Sequence, residues 1–67
     1  MISIYSNINL KSTSEGDFSS FELRGLSTDE KPTEINGKNV DNGSVFIEID
    51  TGKVFLYDLE NTEWKEV

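Results

Sequence analysis

Ser44-Val45-Phe46-Ile47-Glu48-Ile49-Asp50, Lys53-Val54-Phe55-Leu56-Tyr57-Asp58 and Thr62-Glu63-Trp64-Lys65-Glu66-Val67 close the chain as runs of β-branched and aromatic residues separated by two short turns. Such runs, bounded by Gly, Asn and Asp, read as strands, and in succession they read as a β-meander over about 44–50, 53–58 and 62–67. The register of the first hairpin decides which side chains form the core. A two-residue Thr51-Gly52 turn would put β-branched Thr51 at positive φ, whereas a three-residue loop ending at Gly52 asks this of glycine alone. The bulged loop is therefore expected, pairing Ile49 with Lys53, Ile47 with Phe55 and Val45 with Tyr57. Its core face carries Val45, Ile47, Ile49, Phe55 and Tyr57; the two-residue alternative brings Val54 and Leu56 to Ile49 and Ile47 instead. In the second turn, Asn61 is the residue that tolerates positive φ.

Upstream, Ile2, Ile4, Ile8 and Leu10 alternate with polar residues, which predicts an N-terminal strand over about 2–10. Residues 11–17 are small, polar and turn-rich and read as a loop. Residues 17–26 fit both helical and strand spacing, and their serines and glycine favour a strand or irregular segment. From 27 to 43 the only apolar side chains with core character are Ile35 and Val40, interrupted by Pro32, Asn36-Gly37 and Asn42-Gly43. This stretch reads as a long polar loop, with Ser27 and Glu30 spaced to cap one helical turn before Pro32 stops it. The expected fold is mainly β: one domain over 1–67, a small antiparallel sheet of 3–5 strands made of the N-terminal strand and the C-terminal meander.

Composition narrows the function. The chain has 67 residues, 13 acids against 6 bases, no cysteine and no histidine. A chain of this length forms one domain and buries only about 60% of its unfolded surface. With a hydrophobic fraction of 34%, the apolar residues must be gathered into one sheet, or a partner completes the core. A net charge of −7 opposes direct binding to nucleic acid or anionic membranes, because phosphate contacts depend on Lys and Arg. The start of the chain lacks the basic and apolar regions of a signal peptide, and the lack of cysteine fits a reducing compartment. Without His and Cys there is no His-based triad, thiolate nucleophile or ordinary zinc site. A paired-carboxylate mechanism needs a cleft for which so small a sheet has little room. Gly37-Lys38 and Gly52-Lys53 lack the rest of a phosphate loop, 39–43 lacks a calcium loop's ligand pattern, and Asn42-Gly43-Ser44 reads as a turn. No catalytic residue, cofactor or metal is therefore expected.

One resemblance adds a setting. The stretch Gly25-Leu26-Ser27-Thr28-Asp29-Glu30-Lys31-Pro32-Thr33, then Asn42-Gly43-Ser44, the Phe46-x-Glu48-x-Asp50-Thr51-Gly52-Lys53 hairpin, Tyr57-Asp58 and Trp64, resembles small uncharacterised proteins of tailed bacteriophages and prophages of Gram-positive bacteria. It covers about residues 25 to 67, and the stretch from Glu34 to Asp41 departs from the simplest members. The resemblance implies a virion structural or assembly accessory protein, in the virion or the host cytoplasm. The partner would be a virion protein, a host protein or a second copy of the chain. The alternative is an inhibitor of a host defence or regulatory protein acting through an acidic surface.

The candidate partner-binding residues are Asp29, Glu30 and Lys31 in the polar stretch, and Phe46, Glu48, Asp58, Glu60 and Trp64 in the meander, where carboxylates crowd beside aromatics. Trp64 also suits a core anchor, and the carboxylates also suit a solvated face guarding strand edges. A contiguous acidic stripe would favour the inhibitor. An exposed apolar patch, such as Phe46, Val54 and Leu56, would favour an assembly interface.

Overall fold

The computed structural model describes residues 1–67, the side chain of Asn9 excepted. The protein is mainly β. Its strands are β1 (Ser3–Thr13), β2 (Gly16–Gly25), β3 (Glu34–Ile35), β4 (Lys38–Val40), β5 (Val45–Glu48), β6 (Val54–Asp58) and β7 (Glu63–Glu66). They form one mixed sheet in the order β3-β4-β2-β5-β6-β7, with β1 pairing β2. The expected antiparallel sheet of 3–5 strands is thus corrected in number and in direction: β2 pairs in parallel with both β4 and β5.

The N-terminal strand runs on to Thr13, and the expected loop at 11–17 shrinks to a turn at Ser14-Glu15. The polar residues of that stretch close the hairpin. Thr13 Oγ1 accepts from the Glu15 amide at 3.1 Å and donates to the Gly16 carbonyl at 3.0 Å, while Ser12 donates to Asp17 at 2.6 Å. The ambiguous stretch 17–26 is strand, since β2 lies between β1 on one side and β4 and β5 on the other, whose ladders take up backbone groups that a helix would have satisfied internally.

The polar stretch 27–43 is more structured than expected. Ser27 caps no helix; its amide and hydroxyl donate to Asp50 at 2.9 and 2.6 Å. Further on, β3 and β4 form a hairpin across Asn36-Gly37, where both residues adopt positive φ, 52° and 79°, as a two-residue turn requires. The chain then follows β2 in two pieces, β4 beside Phe18–Ser19 and β5 beside Glu22–Gly25. Between them it turns away at Asn42-Gly43. The gap is bridged by Ser44, whose hydroxyl accepts from the buried Phe21 amide at 3.0 Å and donates to the Asp41 carbonyl at 2.8 Å.

The β5–β6 hairpin takes neither expected register. Gly52 does sit at positive φ, 76°, but the loop has four residues, 49–52, and the pairs are Val45 with Leu56, Phe46 with Phe55 and Ile47 with Val54. A one-residue slip exchanges the faces of β5 relative to β6. Phe46 and Glu48 therefore point inward with Tyr57, while Val45, Ile47 and Ile49 lie on the opposite face. The cause lies outside the hairpin. β5 is held against β2 with Phe46 opposite Leu23, and the longer loop is tied down by Ile49 N–H to the Gly25 carbonyl and Gly52 N–H to the Glu48 carbonyl, both 2.8 Å. In the last turn positive φ falls on Thr62, 51°, and not on Asn61. Asn61 instead bonds Asp58 through its side chain at 2.8 Å.

Candidate functional site

The sheet has a covered face and an open one. On the covered face Phe21, Leu23, Val40, Phe46 and Tyr57 form the core, with Ile2, Ile35, Phe55, Leu59 and Trp64 packed around it. The cover over this face is partly a length of loop near residues 29–33. Lys31 Nζ lies 4.8 Å from the centre of the Phe46 ring and 4.3 Å from that of Phe55, and donates to Glu48 at 2.7 Å. Trp64 meets Phe46 edge-on at 6.0 Å, lies 5.0 Å from Tyr57, and donates its indole N–H to the Pro32 carbonyl at 2.9 Å.

Four of the expected contact residues, Lys31, Phe46, Glu48 and Trp64, are thus brought together, but as the internal closure of the fold. Phe46 is 0% and Glu48 4% exposed, so neither offers a surface to a partner in this conformation. The Lys31 ammonium and the Thr51 hydroxyl hold the Glu48 carboxyl below its ordinary pKa.

The remaining carboxylates are mostly engaged in turns. Asp29 accepts from the Leu26 amide at 2.8 Å and from the N-terminal ammonium at 2.9 Å, and these two contacts lower its pKa in that order. Asp50 is lowered first by the Ser27 hydroxyl, and Asp58 by Asn61 and then by Lys65. Glu30 and Glu60 are exposed. Asp29 and Glu30 adjoin in the loop after β2, whereas Asp58 ends β6 and Glu60 follows in the turn after it. Among the described residues no three His, Cys, Asp or Glu side chains are grouped as metal ligands would be.

The open face carries the β5 residues expected in the core, Val45, Ile47 and Ile49, whereas Phe55 and Tyr57 lie on the covered face as expected. Val45 and Ile47 on β5 stand opposite Leu56 and Val54 on β6, and beyond them Ile49 is 61% and Leu56 43% exposed. Val45, Ile47 and Val54 are partly buried, and Ile49 and Leu56 are exposed. The charges beside them are paired: Arg24 with Glu22 at 3.1 Å on the adjoining strand, and Lys65 with Asp58 at 3.2 Å and Glu63 at 3.7 Å on β7. At one end the face runs into a shallow depression of about 420 Å³ between Met1, Ser3, Tyr5, Arg24, Leu26 and Ile49. Its wall is a stack, the Arg24 guanidinium lying 4.0 Å from the centre of the Tyr5 ring.

Alternation along β5 was the signal that could have found this face, since Val45-Ile47-Ile49 and Phe46-Glu48 are the only two choices. The pattern cannot say which set is inside, because both contain large apolar residues. No family model matches the chain, and no curated protein or solved structure compared with it matches.

Proposed function

We propose that the chain is a non-enzymatic protein-binding module that docks a protein partner on the open face of its sheet. The observation that supports this is an apolar row in which Ile49 and Leu56 are exposed and Ile47 and Val54 partly so, bordered by charges that take part in ion pairs within the chain. Burial of apolar area drives such association, and paired border charges oppose it least. With the resemblance to small phage proteins, the reading becomes a virion structural or assembly accessory protein, working in the virion or the host cytoplasm. The inhibitor reading draws less support, because Asp29, Asp50 and Asp58 are tied into turns of the fold.

Mass spectrometry of purified particles of the phage carrying the gene tests the setting: the protein is expected among the virion proteins, and its absence from intact particles refutes a structural role. The face is tested by incorporation or co-purification with the double variant Ile47→Lys, Leu56→Lys. That variant is expected to lose the partner while keeping its far-UV circular dichroism. Retention of the partner would refute the docking face.

A further inference from the structure

The first strand poses a separate question from the open face. β1 is 11 residues long and pairs only with β2, so its other side presents unpaired backbone N–H and C=O groups along its length. At about 3.4 Å per residue this edge is roughly 35 Å long, close to the longest dimension of the molecule, 37 Å. Soluble proteins blunt such edges with charge, proline, brevity or β-bulges. The other outer strands follow that rule: β7 has four residues, among them Glu63, Lys65 and Glu66, and β3 has two. β1 has only its register shifts. Residues 1–14 hold none of the 13 acids and a single base, Lys11, while Ile4, Tyr5, Ile8 and Leu10 are 45 to 60% exposed.

We infer that this edge pairs with the same edge of a second copy, antiparallel and about a twofold axis, continuing the sheet from one chain into the other. Charge permits this occupant at the edge. At −7 two copies repel, and the acid-free edge is the place where they approach with least opposition. A basic partner would be drawn to the acid-bearing turns and gains nothing here. The irregularities of the strand agree with a twofold arrangement. Its register shifts fall between Ile4 and Ser6 and between Asn9 and Lys11, flanking the regular stretch from Ser6 to Asn9. An axis through that stretch sets the first irregularity of one copy near the second of the other. It also keeps the two Lys11 side chains at opposite ends, so no like charges face each other. The inference does not rest on the docking face proposed above.

Sedimentation equilibrium of the full chain from about 10 μM to about 1 mM spans the dissociation range of an interface of the smallest stable class. The mean mass is expected to rise from 7.6 kDa toward twice that value. Ile8→Lys places two ammonium groups near the axis and is expected to weaken dimerisation at least about tenfold, with circular dichroism confirming that the variant is folded. Because the chain has no cysteine, Asn7→Cys gives a second readout that spares the apolar residues: it should cross-link to itself on oxidation, and Glu60→Cys should not. A monomer throughout the range overturns the inference. So does a dimer that Leu56→Lys abolishes and Ile8→Lys leaves intact, a result that would keep the docking face while removing the edge.

Discussion

Replacing Ser44 by alanine removes one oxygen atom from the junction between β4 and β5. The serine is 0% exposed, and its hydroxyl is the acceptor for the Phe21 amide across the sheet. In alanine the amide keeps its burial and loses its partner, which costs about 1–3 kcal/mol. The Asp41 carbonyl is less affected, because it still accepts from the Ser44 amide at 3.3 Å. No methylene is lost, so no cavity penalty of the kind seen in large-to-small core changes is added. The expected loss is therefore about 2 kcal/mol, against a total of roughly 3–10 kcal/mol for a domain of this length. At about 4–8 °C per kcal/mol for so small a domain, the melting temperature should fall by about 8–16 °C. Urea titration followed by Trp64 fluorescence and far-UV circular dichroism measures the free energy. Hydrogen exchange at the Phe21 amide locates it, since that proton should exchange faster in the variant. Ser3→Ala, on the exposed part of β1, is the control and should stay within about 0.5 kcal/mol of the parent. A Ser44→Ala variant equally close to the parent, or one destabilised without faster exchange at Phe21, would refute the bridging role.

Three further outcomes follow from the same geometry. Gly25→Ala should cost about 1–3 kcal/mol through overpacking, because a methyl there would lie 2.9 Å from both Phe46 Cζ and Asp29 Oδ2; urea midpoints measure it. Thr62→Gly should raise stability by about 0.5–1 kcal/mol in thermal melts, since the left-handed conformation at φ 51° costs an L-residue about 1–2 kcal/mol and glycine only part of that in extra entropy. Asp29, Glu48, Asp50 and Asp58 all have native pKa values below their ordinary ones. Their stabilisation is fully present above the unfolded-state range near about 4 and is lost as pH falls through the lower native values. Urea midpoints should therefore drop on acidification below about pH 4, and Glu48→Gln should make that drop shallower; a midpoint that rises with acid would contradict these assignments.

Much of the architecture was legible because it depends on neighbours in sequence. Alternation and β-branched residues marked β1, β5, β6 and β7, and Asn36-Gly37 carried a turn whose hairpin was too short for periodicity to show. Gly52 was recognised as the residue at positive φ, since only glycine takes that conformation freely. The acid-free start of the chain, the absence of His and Cys and the charge of −7 are likewise properties of the sequence alone, and they set what kind of surface each segment presents.

What the sequence left undetermined was which face of the last hairpin is inside. Val45-Ile47-Ile49 and Phe46-Glu48 are both plausible inner rows, and the turn chemistry of 50–52 admitted several loop lengths. The choice was made by contacts from distant parts of the chain: β2 pairing in parallel with β5, Ser44 bonded to Phe21, Ile49 bonded to Gly25, and Lys31 placed over Phe46 and Phe55 beside Glu48. A register slip of one residue costs nothing locally and inverts a whole strand. Only the tertiary structure could place Phe46 and Glu48 in the interior and leave Ile47, Ile49 and Leu56 on the surface where a partner can bury them.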